Sequence, residues 1–519
     1  MRKLVSVLVI LMVIMAVMFT GCKKEPTTLT VQIFDRGTDG GRSLAHDNAW
    51  TNWIKEKVKE DLGIDVTFVP VGRWSEGQDI VNLMASGDAP DLCYTYAGDM
   101  VAFFRDQGGV MNLAPYIDSH LPDLKRLLGE DPAFPGQDFI YRNADPQNGR
   151  IYSIPSYRVA LAQRNIFIRK DWLDALGIPE PRTTQEFYEA LIAFRDNDPG
   201  NVGRTRVIPF GVNSDARWGL ANLVHPHINP NMSNRDRWVY NIADRNVFMP
   251  GYKEGVRLMN KWYNEGLIFR DFPLMTTADD FYNQIKSGVV GAFSQNWDFP
   301  YRQDIKILED LRRNVPDADF IVIDPIQSSD GVTRKDMMDK VGLQIFIPSF
   351  SKNHVAALRY LNWLAKPENF HFIQVGQAGV NHEIVNGVPR TLGRPAGDPW
   401  FQNSPNNIDI TMPMNGIEMG GIELNARVLA LGYGDTPPEV IVNAYAVSTS
   451  NARAAAVWQA TTTVNQYGQT LQDKADALLA QSITTRPEDF DRIWDAGIRD
   501  WLASGGQDVY NERSDLYPQ

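Results

Sequence analysis

The sequence predicts an α/β protein built of two lobes. The chain has 519 residues, more than the roughly 250–300 residues at which a single hydrophobic core stops growing. Apolar residues alternate over 29–33, recur at helical spacing over 50–62 and alternate again over 64–68. This strand–helix–strand order is typical of a parallel sheet covered by helices. An apolar fraction of 43% is sufficient for such cores.

Later segments repeat these patterns. Thr183 and Glu186 form a capping box, which predicts the start of a helix. Pro155 interrupts one strand-like run and Asp324-Pro325 follows another, so both positions are interpreted as crossings between lobes. A third crossing is expected within 387–421, where Gly, Pro and Asn are frequent. The further elements are predicted as strands over 92–96, 149–158, 320–323 and 342–348 and as helices over 80–87, 183–194, 357–364 and 454–503.

The N-terminus has the features of a secretory signal. Residues 4–19 are almost wholly apolar and follow two basic residues. The run has about 16 residues, short of the roughly 20 that a spanning helix needs. The segment before Cys22 resembles the bacterial lipobox, with Phe19 where leucine is usual, and this resemblance implies cleavage before Cys22 and acylation of its sulfur. We therefore expect a signal peptide over 1–21 and a lipidated tether over 22–28; the alternative is an ordinary signal peptide with an incidental cysteine.

Composition excludes several classes of function. The net charge is −12, from 63 acidic against 51 basic residues, which argues against broad binding to nucleic acid. Two cysteines allow no disulfide framework and no cysteine-rich metal site. Phosphate-binding loops, complete dinucleotide fingerprints and nucleophile elbows are missing from the sequence. We expect no cofactor, no nucleic-acid partner and no metal, and a binding protein rather than an enzyme.

Five segments in a fixed order carry a resemblance to a known family. The sequence resembles the extracellular solute-binding proteins of family 1, the lipid-anchored sugar receptors of ABC importers, in the branch of large lipoproteins. The resemblance implies a periplasmic-binding-protein-like fold of type II, in which two α/β lobes joined by three hinge crossings enclose a ligand cleft. The segments are Met84–Asp91, Ile151–Pro155, Arg169–Gly177, Asn296–Asp298 and Arg359–Leu364.

The resemblance also implies lobe boundaries and partners. We expect an N-terminal lobe of residues 29–155 plus 325–395 and a C-terminal lobe of residues 156–324 plus 396–519. A monomer is expected to bind an oligosaccharide and deliver it to ABC permease subunits by hinge closure. The expected location is extracytoplasmic, on the bacterial cell membrane through the lipid anchor.

A sugar offers flat patches of C–H bonds and a rim of hydroxyl groups, so a receptor needs aromatic faces beside carboxylate, amide or guanidinium groups. Segments that follow predicted strands or flank predicted crossings supply these groups, because ligands gather beyond the carboxyl ends of such strands. In the family the tryptophan of the Asn296–Asp298 motif lines the cleft. The candidate ligand-binding residues are Asp35, Arg36, Tyr96, Asp99, Tyr157, Arg158, Trp218, Asn296, Trp297, Asp298, Trp400 and Asn415. The alternatives are an ion pair within one lobe for Asp35 and Arg36, and core packing for the tryptophans.

One loop departs from the family pattern. Many relatives bind calcium after a helix like the one predicted over 183–194. Here Asp196, Asp198 and Asn201 could contribute oxygen ligands, whereas Val202 offers none and Arg206 stands where a carboxylate is expected. A surface turn is therefore favoured over a calcium site.

Two other functions stay open at this level. A secreted carbohydrate-active enzyme would need a pair of carboxylates that no motif singles out. A binding protein that serves a sensor kinase would use the same fold.

Overall fold

The computed structural model describes residues 27–132, 136–145, 148–275, 277–302, 305–402, 407–454 and 461–516. The predicted signal peptide and Cys22 lie outside these residues. The strands are β1 (Thr27–Asp35), β2 (Ile64–Gly72), β3 (Cys93–Thr95), β4 (Ile154–Arg158), β5 (Arg164–Arg169), β6 (Ile208–Gly211), β7 (Val290–Asn296), β8 (Phe320–Ile323), β9 (Lys335–Met337), β10 (Val341–Phe346), β11 (His382–Val385), β12 (Val388–Thr391), β13 (Met414–Asn415) and β14 (Ala452–Ala454).

The helices are α1 (Ala49–Leu62), α2 (Glu76–Ser86), α3 (Gly98–Asp106), α4 (Ile117–His120), α5 (Pro122–Leu128), α6 (Lys170–Leu176), α7 (Thr184–Asn197), α8 (Ala216–Gly219), α9 (Ala221–Val224), α10 (Asn234–Tyr240), α11 (Tyr252–Asn264), α12 (Ala278–Lys286), α13 (Ile307–Asn314), α14 (His354–Leu364), α15 (Pro367–Val375), α16 (Ile408–Thr411), α17 (Ile422–Ala430), α18 (Pro438–Thr449), α19 (Thr462–Thr484), α20 (Phe490–Trp501) and α21 (Gln507–Leu516). Among the described residues, none of these helices is long and apolar enough to cross a membrane.

The first core contains the predicted strand–helix–strand unit. β1 and β2 pair in parallel with Val31 opposite Phe68, and α1 lies between them in the chain. α1 ends at Gly63, whose φ of 67° is a left-handed conformation that glycine adopts without strain. A second sheet, in the order β13-β4-β10-β3, completes this core. The predicted alternation and helix stop are therefore confirmed.

A sheet in the order β6-β7-β5-β8 forms the centre of the second part of the molecule. Successive side chains of a strand point to opposite faces, so Ile166 and Ile168 of β5 enter the second core while Phe167 enters the third core. Both faces are covered, which explains why every residue of β5 is buried. The predicted capping box begins α7 on one of these faces.

Within the described residues, the chain passes between the first core and the other two at three places. Residues 159–163 follow β4, residues 338–340 precede β10, and residues 416–421 follow β13. The crossing strands pair with one another, since Tyr157 of β4 lies opposite both Val341 and Met414.

These positions correct the predicted lobe boundaries. Ile326, assigned to the N-terminal lobe, packs in the second core. Trp400, Ile410 and Met412, assigned to the C-terminal lobe, pack in or against the first core. The Pro, Gly and Asn signals mark where the backbone bends, and a bend does not determine which core the following side chains enter.

Candidate functional site

Three neighbouring cavities form a groove on the second part of the molecule, and the outermost cavity also faces the first core. The inner cavity, of about 270 Å³, is lined by Trp218 and Asn296. The neck, of about 60 Å³, lies between Trp218 and Asp244. The outer cavity, of about 400 Å³, extends from Asp244 to Tyr96. Neighbouring cavities share these lining residues, so they follow one another along the groove.

The cleft lies beyond the carboxyl ends of strands from both sides. β3 ends one residue before Tyr96, and β7 ends at Asn296. Asn213, two residues after the end of β6, also lines the inner cavity. Open α/β sheets bind their ligands at this edge, so the position of the groove agrees with the reasoning from the sequence.

The inner cavity combines an aromatic ring with a buried cation. The guanidinium of Arg217 lies 4.4 Å from the centroid of the Trp218 ring, and that of Arg164 lies 5.5 Å from it. Arg164 is 7% exposed, and its Nη2 donates to Oε1 of Gln295 at 3.2 Å. Desolvation by burial lowers the pKa of Arg164 to about 10. Asp215 adds an exposed carboxylate to the same wall.

The outer cavity is lined by a polar cluster and an acid. Gln344 Oε1 accepts hydrogen bonds from Ser153 Oγ at 2.9 Å and from Asn143 Nδ2. Asp99, near the start of α3, faces the same cavity. Desolvation in the groove raises the pKa of Asp99, and the cation of Arg513 across the groove opposes that rise. Amide, hydroxyl and carboxylate groups therefore converge here beside the apolar side chains of Val101 and Ala102.

Tyr96 is the point at which several predicted residues meet. Its ring stacks on Phe34 at 6.1 Å, and the guanidinium of Arg73 lies 4.2 Å from its centroid. Asn415 Nδ2 donates to the Tyr96 hydroxyl at 3.4 Å. Burial lowers the pKa of Arg158, and the nearby Tyr96 raises it in part. Tyr96, Arg158 and Asn415 therefore lie together, and of the three only Tyr96 is among the residues that line the outer cavity.

The neck is bordered by two charged clusters. Arg217 Nη1 donates to Asp244 Oδ2 at 2.8 Å. Asp336 accepts a hydrogen bond from Arg237 Nη2 at 2.9 Å and shares another with His225 Nδ1. Burial by itself would raise the pKa of Asp336, but His225 and Arg237 outweigh it and hold the pKa at about 2.

Arg36 and its neighbour Asp35 have structural partners. Arg36 donates from Nε and Nη2 to the two oxygens of Asp409, both at 2.7 Å. Asp35 is exposed and accepts from the Gly37 backbone at 2.9 Å. The ion-pair alternative therefore holds for Arg36, although the partner is Asp409 rather than Asp35.

Tyr157 and Trp400 lie away from the cleft. Tyr157 lines a separate cavity of about 440 Å³ beside the crossings, with Lys340 Nζ 4.7 Å from its ring centroid. The Trp400 ring makes an edge contact with Trp50 at 5.0 Å in the first core.

The Asn296–Asp298 motif is divided between two environments. Asn296 lines the inner cavity, whereas Trp297 is 7% exposed and packs edge-on against Tyr433 and Tyr445 in the third core. Asp298 accepts hydrogen bonds from Arg302 Nε at 2.9 Å and from the Tyr433 hydroxyl at 2.8 Å. The structure thus places Trp297 and Asp298 in the packing beneath the cleft.

The loop considered for calcium is held by protein groups. The Asp196 carboxylate accepts hydrogen bonds from Arg195 at 2.7 and 3.0 Å. The Asp198 carboxylate accepts from the backbone of Val202 at 2.9 Å and of Gly203 at 2.8 Å. Within the described ranges, no group of three or more His, Cys, Asp or Glu residues is placed to hold a metal ion. Asn201 has a left-handed φ of 49°, as expected of a surface turn.

Sequence reasoning missed several residues of the cleft. Arg164, Arg217 and Gln344 were not among the candidates, although each lines a cavity. Arg217 precedes Trp218 directly, so the pair could have been considered together. Arg164 begins a strand whose other residues are mostly apolar, which is an unusual place for a charge.

Comparison with known proteins relates this geometry to a family. The family model of the bacterial extracellular solute-binding proteins matches residues 43–369. Lipoprotein LipO of Bacillus subtilis is 26% identical over 346 residues, which cover 63% of this chain and 63% of LipO. The fructooligosaccharide ABC transporter substrate-binding protein FusA of Streptococcus pneumoniae serotype 4 is 26% identical over 235 residues, or 42% of this chain and 41% of FusA. The chain thus spans less than two thirds of the length of these curated relatives.

A solved structure shows the same fold. An HMO-binding, ABC-transporter-associated solute-binding protein from Bifidobacterium longum infantis superposes with a TM-score of 0.68 at 17% identity. The match covers 95% of this chain and 99% of that one. The fold predicted from the sequence, a periplasmic-binding-protein-like α/β fold, is confirmed.

Proposed function

The chain belongs to the bacterial extracellular solute-binding proteins, and from this premise we propose that it captures an oligosaccharide and delivers it to an ABC importer. The observation that carries the proposal is the cleft itself, where Trp218 and Tyr96 offer aromatic surface beside amide, carboxylate and guanidinium groups. Sugars present complementary C–H patches and hydroxyl groups. The relatives named above include a fructooligosaccharide-binding protein, which supports this class of ligand.

The extent of the groove favours an oligosaccharide over a single sugar. The inner cavity, the neck and the outer cavity have volumes of about 270, 60 and 400 Å³ and follow one another. Drug-sized ligands occupy roughly 300–1,000 Å³. A ligand that fills all three cavities is expected to contain more than one sugar unit.

Contacts across the groove support closure as the mechanism. α3 packs beside α19, and Thr462 Oγ1 donates to Asp106 Oδ2 at 3.2 Å. In this proposal the first core and the second part of the molecule are the two lobes, joined by the three crossings. A ligand that contacts both lobes stabilises the closed state, and the permease recognises that state.

The location and assembly follow from the N-terminal sequence and the family. We propose that the signal peptide 1–21 is removed and that Cys22 carries acyl chains that hold the protein on the extracytoplasmic side of a bacterial membrane, at its outer face or on the periplasmic side. The lipoprotein relative supports this anchor. Permease subunits are the partners, the receptor acts as a monomer, and the bound glycan is released uncleaved.

A thermal-shift screen of residues 23–519 against plant, fungal and bacterial oligosaccharides tests the proposal. A ligand at about 100 times its dissociation constant adds roughly 2.7 kcal/mol of stability. A folded protein that no glycan stabilises, or that cleaves its glycan, would contradict the proposal.

Two tryptophan variants then locate the site. Trp218→Ala is expected to weaken binding at least about tenfold in calorimetry, because central aromatic residues dominate such interfaces. Trp400→Ala is the matched control; it removes packing on Trp50 and is expected to lower the melting temperature without changing affinity. Unchanged affinity in Trp218→Ala would place the ligand elsewhere.

A further inference from the structure

We propose that the ligand of the inner cavity carries a carboxylate that pairs with Arg164, so that the solute is an acidic oligosaccharide. This inference rests on the proposed function and specifies its ligand. Arg164 lines the inner cavity and is 7% exposed. It forms no ion pair with any residue that the structure describes, and its Nε lacks a hydrogen-bond partner there.

Two other arginines buried as deeply, Arg169 and Arg245, form ion pairs. Arg169 Nη2 lies 2.6 Å from Asp171 Oδ2, and Arg245 Nε lies 2.7 Å from Asp476 Oδ1. Arg513 donates to the carbonyl oxygens of Trp238 and Asn241. Arg164 has instead one neutral amide, Gln295, and the Trp218 ring. Arg164 thus has fewer acceptors than these three arginines and lines a cavity, which leaves room for a partner from outside the protein.

The energetics favour an anionic partner over a neutral one. A buried charge without a counter-ion carries a desolvation penalty that proteins ordinarily offset by pairing. Burial lowers the pKa of Arg164 to about 10, so the guanidinium remains charged at neutral pH. Its planar fork of N–H donors matches the two oxygens of a carboxylate.

The surrounding charges leave Arg164 available. Arg217, the other guanidinium at Trp218, is paired with Asp244. Asp215 lines the same cavity and its charge partly offsets the effect of burial on the pKa of Arg164, but it is exposed and forms no ion pair with Arg164. Asp215 is placed to accept hydroxyl hydrogen bonds from the same sugar ring while Arg164 holds its carboxylate.

The test compares matched pairs of ligands. Trimers of galacturonate, glucuronate or mannuronate are titrated against the same trimers with their carboxylates reduced to alcohols, which are trimers of galactose, glucose or mannose. At least one acidic trimer is expected to bind about tenfold or more tightly than its reduced partner, because hydrogen bonds to charged groups are the stronger ones. Its affinity is also expected to fall as salt screens the charge.

Two variants assign the effect to Arg164. Arg164→Gln is expected to bind an acidic trimer and its reduced partner equally. It removes an unpaired buried charge, so we expect it to fold. The matched control is Arg182→Gln, at an exposed arginine that lines none of the three cavities of the groove. This variant is expected to keep the preference for the acidic trimer.

Two outcomes overturn the inference and can be told apart. If a neutral oligosaccharide, reduced trimer or other, binds at least as tightly as the tightest-binding acidic trimer, the inference fails while the proposed function stands. If no glycan of either kind binds to the folded protein, both fail. The comparison in the unmodified chain decides between these results even if Arg164→Gln does not fold.

Discussion

The ion pair between Arg36 and Asp409 gives a sharp test of the distinction between structural and ligand-binding residues. The two side chains are 14% and 4% exposed and are joined by two hydrogen bonds of 2.7 Å. Replacing Arg36 with leucine leaves the Asp409 carboxylate buried without its partner. Breaking a buried pair in this way costs about 3–5 kcal/mol, and the partial exposure of Arg36 places the expectation near the lower end.

Denaturant unfolding followed by tryptophan fluorescence measures this cost. Arg36→Leu is expected to lower the free energy of unfolding by about 3 kcal/mol, and the double variant with Asp409→Leu is expected to regain most of it. Ligand affinity of the folded Arg36→Leu protein should change little. The reasoning is refuted if the single variant keeps its stability while losing its ligand, because Arg36 would then act on the ligand and not on Asp409.

Three further predictions follow from the same geometry. Because the pKa of Asp336 is held at about 2, below its ordinary 3.8, its stabilisation of about 2 kcal/mol is present above about pH 4 and is lost as the pH falls through 2. In denaturant unfolding, the difference in the free energy of unfolding between the unmodified protein and Asp336→Asn should therefore disappear between pH 5 and pH 2. A difference that stays constant over this range would contradict the prediction. Trp297→Ala should cost about 3–5 kcal/mol by the same assay yet leave the affinity of the folded fraction intact; an affinity loss without destabilisation would place Trp297 in the cleft. A chelator should leave the melting temperature unchanged, since Asp196 and Asp198 already have partners; a clear rise on adding calcium would show otherwise.

Local patterns were sufficient for most of the fold. Alternation over 29–33, the glycine stop at Gly63 and the capping box at Thr183 each concern residues close together in the chain, and each is confirmed. Tyr96 and Asn296 were selected because each follows or ends a predicted strand, and both line the groove. Such signals depend on backbone geometry, which nearby residues determine.

Side-chain direction and distant partners explain most of what was missed. Asn296 and Trp297 are adjacent, yet consecutive side chains leave a strand end on opposite sides, so one faces the cleft and the other the third core. The partner of Arg36 lies 373 residues away in the chain. Arg164 is notable only once its burial is known. Long-range packing therefore decided the roles of these three residues.

The meeting of three strands at Tyr157 has a mechanical consequence. Tyr157 is opposite Val341 on one side and Met414 on the other, and the backbone hydrogen bonds from Arg158 to Lys340 and from Val159 to Asn415 continue the pairing. Strands joined edge to edge behave as a thin plate, which flexes out of its plane easily but resists sliding and in-plane rotation because both would break hydrogen bonds. In the proposed closure, this pairing favours bending of the two halves about one axis over sliding. If the proposed closure follows this axis, Trp218 and Tyr96 are expected to reach the same relative position each time the groove closes.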